Sequence, residues 1–286
     1  MDARERIERS IITTYRKTIW RSFTRTLSQY RLIQPGDHIA ACISGGKDSF
    51  LMAKCLEEIQ RHGNVDFKLS FLVMDPGYHP MNRRLIEENA ELMGLDIRIF
   101  ETDIFDAVAG MDDNPCYMCA RMRRGHLYKN AQRLGANKIA LGHHFDDVIE
   151  TVLLSMLYGG EMKTMMPKLR STNFPGMELI RPMYMVREKD IVAWRQLNHL
   201  TFLNCACRFT ECSTVGDNST SKRAEIKALI AKLEKGNSQV PLNIFRSVHN
   251  IKLGAVIGYT LNGEQHSFLD DYDQNDDQGS DDGLII

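Results

Sequence analysis

Ser44-Gly45-Gly46-Lys47-Asp48-Ser49 decides the fold of this chain. The apolar run His38-Ile39-Ala40-Ala41-Cys42-Ile43 precedes it. The helical pattern Phe50-Leu51-Met52-Ala53-Lys54-Cys55-Leu56-Glu57-Glu58-Ile59 follows. A strand, a glycine turn and a helix start build an anion site, because unpaired backbone N–H groups and the helix dipole point at the same place. The two glycines admit close approach of a phosphate, and Lys47 supplies positive charge. The spacing is not G-x-x-x-x-G-K-[ST], so this is not a Walker A loop.

Outward from the loop, strand-like and helix-like segments alternate. Residues 67–75 form an apolar strand, and 82–93 a helix stopped by Gly94. Strand 96–101, helix 121–134, strand 138–141, helix 146–157, strand 178–184 and helix 188–199 follow. This alternation predicts an α/β fold with a parallel, doubly wound sheet. Ligands in such sheets bind beyond the strand C-termini, where Ser44, Asp75 and Gly142-His143-His144 fall. Residues 1–33 carry Ile7, Ile11, Ile12, Tyr15, Ile19, Trp20, Phe23 and Leu27 at helical spacing. This predicts an amphipathic helix packed on the main domain with a basic side in solvent; a contact with a nucleic-acid backbone is the sharper reading of the same charges. Residues 221–234 and 241–250 read as polar helices. The expected organisation is an N-terminal helix 1–33, a main domain 34–212, a C-terminal helical appendage 213–269 and an acidic disordered tail 270–286.

Bulk properties bound the function. At 286 residues with 43% hydrophobic content, the chain can form one good-sized domain with attachments. No apolar stretch is long enough to span a bilayer and the first residues do not form a signal peptide, so a cytoplasmic location and no membrane partner are expected. The net charge of −1 hides a partition: residues 270–286 hold seven Asp and no Lys or Arg, which leaves residues 1–269 at +6. A basic body permits nucleic-acid binding, and the tail lacks apolar surface to bury.

Seven cysteines in such a chain do not predict disulfides. Cys42 and Cys55 lie in the first strand and helix and are expected to be core residues. Cys116-Tyr117-Met118-Cys119 directly precedes the helix expected from residue 121, and Cys205-Ala206-Cys207 and Cys212 come much later. Two close thiolates with a distant third or fourth suit structural zinc and an iron–sulfur cluster equally well. Asp146 and Asp147 start a helix, where Asp is first a cap. Asp147 and Asp48 are also candidates to hold Mg²⁺ against ATP phosphates. Asp75 precedes Pro76-Gly77, so it is either a turn-former or an acceptor for adenosine. Arg121, Arg123 and Arg124 follow the cysteines at a place suited to phosphate or substrate contact. Lys168, Arg181 and Arg187 are read as a basic path for a tRNA backbone.

The loop resembles the PP-loop (N-type) ATP pyrophosphatases, whose Ser-Gly-Gly-x-Asp-Ser grips the pyrophosphate of ATP while a substrate oxygen is adenylated. A narrower resemblance lies in Pro115-Cys116-Tyr117-Met118-Cys119-Ala120-Arg121-Met122-Arg123-Arg124-Gly125 and Lys138-Ile139-Ala140-Leu141-Gly142-His143-His144-Phe145-Asp146-Asp147. It continues through Tyr158-Gly159-Gly160, Pro167-Lys168-Leu169, Ile180-Arg181-Pro182 and Arg187-Glu188-Lys189-Asp190. Over roughly residues 30–207 the chain is similar to the tRNA 2-thiocytidine synthetase family. That resemblance implies ATP, Mg²⁺ and a 4Fe-4S cluster on three cysteines, here Cys116, Cys119 and Cys205, with Cys207 as the alternative third ligand. The family usually has a second CxxC where this chain has Cys205-Ala206-Cys207. The resemblance also implies an ATP site on Ser44–Ser49 with Gly142, His143, Asp146 and Asp147, and a catalytic role for Arg123. The expected activity is thiolation of a tRNA cytidine at C2, at position 32 of the anticodon loop. Sulfur would come from a cysteine desulfurase or another sulfide source, and a homodimer is implied by resemblance alone. The competing functions are another PP-loop adenylating enzyme (acting on a tRNA uridine or a small molecule, or a lysidine-type ligase) and a zinc-stabilised RNA-binding protein.

Overall fold

The computed structural model describes residues 2–108, 115–203 and 222–272, without the side chains of Asp106, Pro115, Cys116, Tyr117 and Asp271. A six-stranded sheet has the order β3-β2-β1-β4-β6-β5. Its strands are β1 (His38–Ile43), β2 (Lys68–Asp75), β3 (Ile97–Glu101), β4 (Lys138–Ala140), β5 (Lys168–Arg170) and β6 (Glu178–Ile180). All pairings are parallel except β5–β6. The chain winds from β1 to one edge through β2 and β3, then crosses to β4 on the other side of β1. The crevice between the C-terminal ends of β1 and β4 is therefore the switch point at which such sheets bind ligands.

β1 is central and buried on both faces. Successive side chains point to opposite sides, so Ile39, Ala41 and Ile43 join one apolar cluster while Ala40 and Cys42 join the other. The first cluster packs against α1 (Ala3–Ile12), α2 (Arg21–Gln29), α3 (Lys47–His62), α4 (Pro80–Met93) and α8 (Glu188–Leu197). The second packs against α6 (Pro115–Arg133) through Tyr128 and Ala131. A short helix α5 (Ile104–Val108) follows β3, and α7 (Phe145–Gly159) follows β4.

The N-terminal segment is two helices and not one. Between α1 and α2, residues Arg16–Trp20 form a π-helical turn, in which Trp20 N–H donates to Tyr15 O at 3.1 Å. Ile7, Ile11, Ile19 and Phe23 are buried against the body. Glu8 anchors α1 by accepting from the buried Lys54 at 2.6 Å and by pairing with Arg61. Arg16, Lys17, Arg21 and Arg25 face solvent.

The C-terminal appendage contains helices α9 (Lys222–Gly236) and α10 (Val240–Ser247), which pack Ile226, Ile230 and Phe245 against Phe145, Val148 and Ile149 of α7. It is not wholly helical, as the sequence reading expected. A hairpin of β7 (Gly258–Leu261) and β8 (Glu264–Ser267) turns at Asn262-Gly263, both at positive φ, and a short helix α11 (Leu269–Tyr272) follows. Asn-Gly is the favoured pair for such a turn. The first residues of the expected disordered tail, Asp270 and Tyr272 among them, lie in that helix; residues 273–286 lie outside the described set. Two further boundaries differ from expectation. The strand expected over 178–184 ends at Ile180, because Arg181 is followed by Pro182, which has no N–H for a ladder. The helix expected from residue 121 begins at Pro115, a residue type favoured in the first turn, so the CxxC lies within α6.

Candidate functional site

The loop Ser44–Gly46 runs from β1 into α3 as a turn closed by its own serines. Ser49 Oγ accepts from Ser44 N–H at 3.1 Å and donates to Gly46 O at 2.9 Å. Gly46 is the N-cap of α3 and offers no side-chain cap, so the first-turn N–H groups face outward unblocked by a side chain. Gly45 sits at φ +87°, and a Cβ there would lie 2.6 Å from Leu203 Cδ1. Gly142, just past β4, is less constrained but also close-packed: a Cβ there would lie 3.0 Å from Ser49 N, so any larger residue would push the β4–α7 turn away from the start of α3.

These turns open on a cavity of about 390 Å³. Its walls come from β1 and the loop (Cys42, Ser44, Asp48, Ser49), from the β4–α7 turn (Gly142, His143, Asp147) and from α6 (Arg123, Arg124). Asp48 Oδ1 is buried without a hydrogen-bond partner among the described residues, and His144 Nε2 stands 3.9 Å away. Asp48 Oδ2 pairs with Lys47 Nζ at 3.2 Å, and the same ammonium reaches Glu188 Oε1 at 3.2 Å. Asp147 closes a capping box: its Oδ2 accepts from His144 N–H at 3.0 Å and His144 Nδ1 accepts from Asp147 N–H. Its Oδ1 accepts from Arg223 at 3.2 Å. Burial, helped by Arg181, pushes His143 down to about 4, so its imidazole is neutral at pH 7. Its Nδ1 is buried and has no hydrogen-bond partner among the described residues.

The remaining expected residues divide. Asp75 is buried in its own turn, accepting from Gly77 N–H at 2.9 Å and Tyr78 N–H at 2.7 Å and pairing with Arg83. Its carboxylate builds the turn, and it does not line the cavity. Asp146 points away as well. It accepts from Glu188 N–H at 2.6 Å and from Arg187, fixing the start of α8. Arg187 lies over the Phe145 ring and also bridges to Glu234, so its charge is neutralised inside the protein and is not presented on a tRNA path. Arg181 is likewise not a surface residue. It is buried, donates to Met166 O, and its Nε has no partner among the described residues; burial lowers its pKa to about 10. Arg121, Arg124 and Lys168 are exposed, with Lys168 donating to Arg31 O at 3.3 Å.

Cys119 is buried beside Met74, Ile104, Phe105 and Val108. Cys116 stands one turn earlier on α6, its side chain outside the described set, as are Cys205, Cys207 and Cys212. Among the described residues no three His, Cys, Asp or Glu side chains converge on one point. Cys42 and Cys55 are core residues whose thiols burial pushes up, Cys42 to about 12.

Glu188, Arg223 and Lys227 were not singled out from sequence. Lys227 Nζ meets Glu188 Oε2 at 2.6 Å, and Arg223 meets Asp147, so α9 reaches the edge of the site. A second cavity of about 450 Å³ lies between α7, α8 and α9. Of its charged lining, Asp146, Arg187, Glu234, Lys189, Glu188 and Lys227 are joined in ion pairs, and the buried Glu150 lies 3.8 Å from Arg223 Nε.

The PP-loop domain family matches residues 16–207 of the chain. The tRNA-cytidine(32) 2-sulfurtransferase of Alcanivorax borkumensis is 35% identical over 247 residues, covering 85% of this chain and 84% of the relative. The enzyme of the same name from Methylobacillus flagellatus is 35% identical over 231 residues, covering 80% and 74%. That from Vibrio cholerae serotype O1 is 34% identical over 250 residues, covering 86% and 77%. Among solved structures, the U34-tRNA thiolase NcsA from Methanococcus maripaludis, determined with its 4Fe-4S cluster, superposes with a TM-score of 0.63 at 21% identity. It covers 84% of this chain and 82% of its own. That likeness supports the α/β architecture.

Proposed function

The chain belongs to the PP-loop domain family and, within it, to the tRNA-cytidine(32) 2-sulfurtransferases, and on that premise we propose that it uses ATP to replace the C2 oxygen of cytidine 32 in a tRNA anticodon loop by sulfur. The observation that carries this reading is the shared cavity: the Ser44–Ser49 loop, Asp147 and Arg123 line one space, and the cysteine-bearing turns of α6 begin beside it.

The N–H groups at the start of α3 receive the pyrophosphate end of ATP, and Lys47 neutralises it. Asp48 and Asp147 are the residues that would hold Mg²⁺; the orphaned Asp48 Oδ1 fits a cation. The C2 oxygen of the base attacks the α-phosphorus and pyrophosphate leaves. Arg123 and Arg124 stand on the opposite wall, where negative charge develops. Sulfide then adds at C2, the C2–O bond breaks, and AMP departs with the oxygen; no net oxidation occurs. A 4Fe-4S cluster, when bound, supplies that sulfide. Cys116 and Cys119 with Cys205, or Cys207 in its place, would hold it, and the apolar surroundings of Cys119 suit a water-poor cluster site. Neutral His143 keeps its wall of the cavity free of a competing cation. The target base must leave its stack to reach so deep a site, and exposed Arg121, Arg124 and Lys168 offer contacts to the RNA backbone.

In this reading residues 34–212 carry the chemistry. The N-terminal segment and helices α9 and α10 buttress it, the enzyme works in the cytoplasm as a homodimer, and a cysteine desulfurase with a thiol reductant, or another sulfide source, supplies the sulfur. Among the described residues no helix is long and apolar enough to cross a membrane. The test is nucleoside mass spectrometry of tRNA from a deletion strain, beside iron, sulfide and zinc analysis of anaerobically purified protein and its Cys116→Ala variant. Loss of 2-thiocytidine, with about four irons and four sulfides that the variant lacks, is expected. One zinc and no iron, or unchanged tRNA, would overturn the reading.

A further inference from the structure

Resting on the function above, we propose that Arg223 and Lys227 of α9 are positioning residues for the ATP-activating site, although α9 follows the matched PP-loop region in the chain. Residues four apart share a helix face, and here that face meets one acid that lines the site, Asp147, and one that holds the loop's Lys47, Glu188. Arg223 Nη1 lies 3.2 Å from Asp147 Oδ1, and Lys227 Nζ lies 2.6 Å from Glu188 Oε2.

Each acid is divided between two tasks. Asp147 gives Oδ2 to the His144 N–H that caps α7 and Oδ1 to Arg223. Glu188 gives Oε2 to Lys227 and Oε1 to Lys47 of the loop. Arg223 therefore sets the rotamer of the acid that lines the cavity. Lys227 limits how firmly Glu188 grips the lysine that must meet phosphate. The helix itself is docked by Ile226 and Ile230, which are buried against α7. Removing either charge leaves that docking intact. Arg223 and Lys227 are about half exposed, and such pairs contribute little to stability. A purely structural role thus predicts almost no phenotype, whereas a positioning role predicts a kinetic one.

The test uses the full chain with its cluster, comparing Arg223→Met, Lys227→Met and the conservative Arg223→Lys and Lys227→Arg. Three quantities are measured: Kd for a non-hydrolysable ATP analogue by calorimetry, kcat and KM for tRNA-dependent pyrophosphate release, and Tm. Loss of an outer partner of this kind costs about 10-fold or more. Arg223→Met is expected to lower kcat about 10-fold with KM for ATP nearly unchanged. Lys227→Met is expected to raise Kd and KM for ATP about 10-fold, because Glu188 then holds Lys47 without competition. The conservative variants recover most of each loss, and Tm stays near that of the parent protein. Methionine variants with the parent's Kd, kcat and KM would overturn the assignment while leaving the thiolation reading intact. So would losses that track a fall in Tm. A parent protein that binds no ATP analogue would overturn both.

Discussion

The two large cavities, about 390 Å³ and 450 Å³, both have carboxylates and cationic side chains in their walls yet have opposite characters. In the second, Arg187 bridges Asp146 and Glu234, and Lys227 bridges to Glu188, so acids and bases answer one another. In the first, Asp48 Oδ1 and His143 Nδ1 lack hydrogen-bond partners, and Arg123 and Arg124 have no carboxylate partner among the described residues. A buried polar group without a partner is costly. A protein that keeps two of them around one space has placed them there for a ligand. Volume does not distinguish a site from a gap, but unanswered polarity does.

Four substitutions sharpen or break that contrast. Asp48→Asn in the first cavity is expected to lower ATP-dependent thiolation about 10²–10³-fold with the fold intact by circular dichroism, the scale for loss of a preorganised electrostatic group. Activity within threefold of the parent would remove Asp48 from the chemistry. Next comes His143, whose folded pKa of about 4 lies below its ordinary 6.5 because burial and Arg181 disfavour the cation. Between those values the unfolded chain binds more protons, so stability falls as pH drops from 6.5 to 4. His143→Asn should remove about 2 kcal/mol of that fall, read as the difference between urea titrations at pH 7 and pH 4.5. Parallel curves for the two proteins would show that His143 titrates in the fold as it does in the unfolded chain. Gly142→Ala is smaller again. Its Cβ would press on Ser49 N, and weakened ATP-analogue binding of about 10-fold is expected, with calorimetry as the check. The smallest effect belongs to the second cavity. Glu234→Gln leaves Arg187 paired with Asp146, so stability should change by less than about 0.5 kcal/mol and thiolation by less than twofold. A large loss of thiolation there would erase the distinction between the cavities.

The loop was legible because its determinants are contiguous: an apolar strand, two glycines and a helix start within one short run. The strand ends that converge on it were legible for the same reason. What escaped sequence reading was long-range. Lys47 and Glu188 are 141 residues apart and Arg223 and Asp147 76 apart, and no local pattern announces either pair. Charge type also failed to reveal location: Lys168 is exposed while Arg181 is buried, although both were read as surface cations. Asp146 and Asp147 are adjacent, yet helix geometry turns one toward α8 and the other toward the cavity. The hairpin at Asn262-Gly263 did carry a local signal, but its strands alternate too weakly to outweigh the neighbouring helical pattern.

The π turn between α1 and α2 has a consequence for phase. Apolar residues at 7, 11, 15, 19 and 23 recur every four positions, and in a regular helix each such step gains about 40° of rotation. Four steps would carry Phe23 well off the face that Ile7 presents. A turn with one additional residue takes back about 100° and returns Phe23 to that face. The buttress is thus tuned by length. A single deletion within 16–20 would swing the following apolar residues around the helix axis and undock α2, where conservative substitutions at exposed Arg16, Lys17 and Thr18 would pass almost unnoticed.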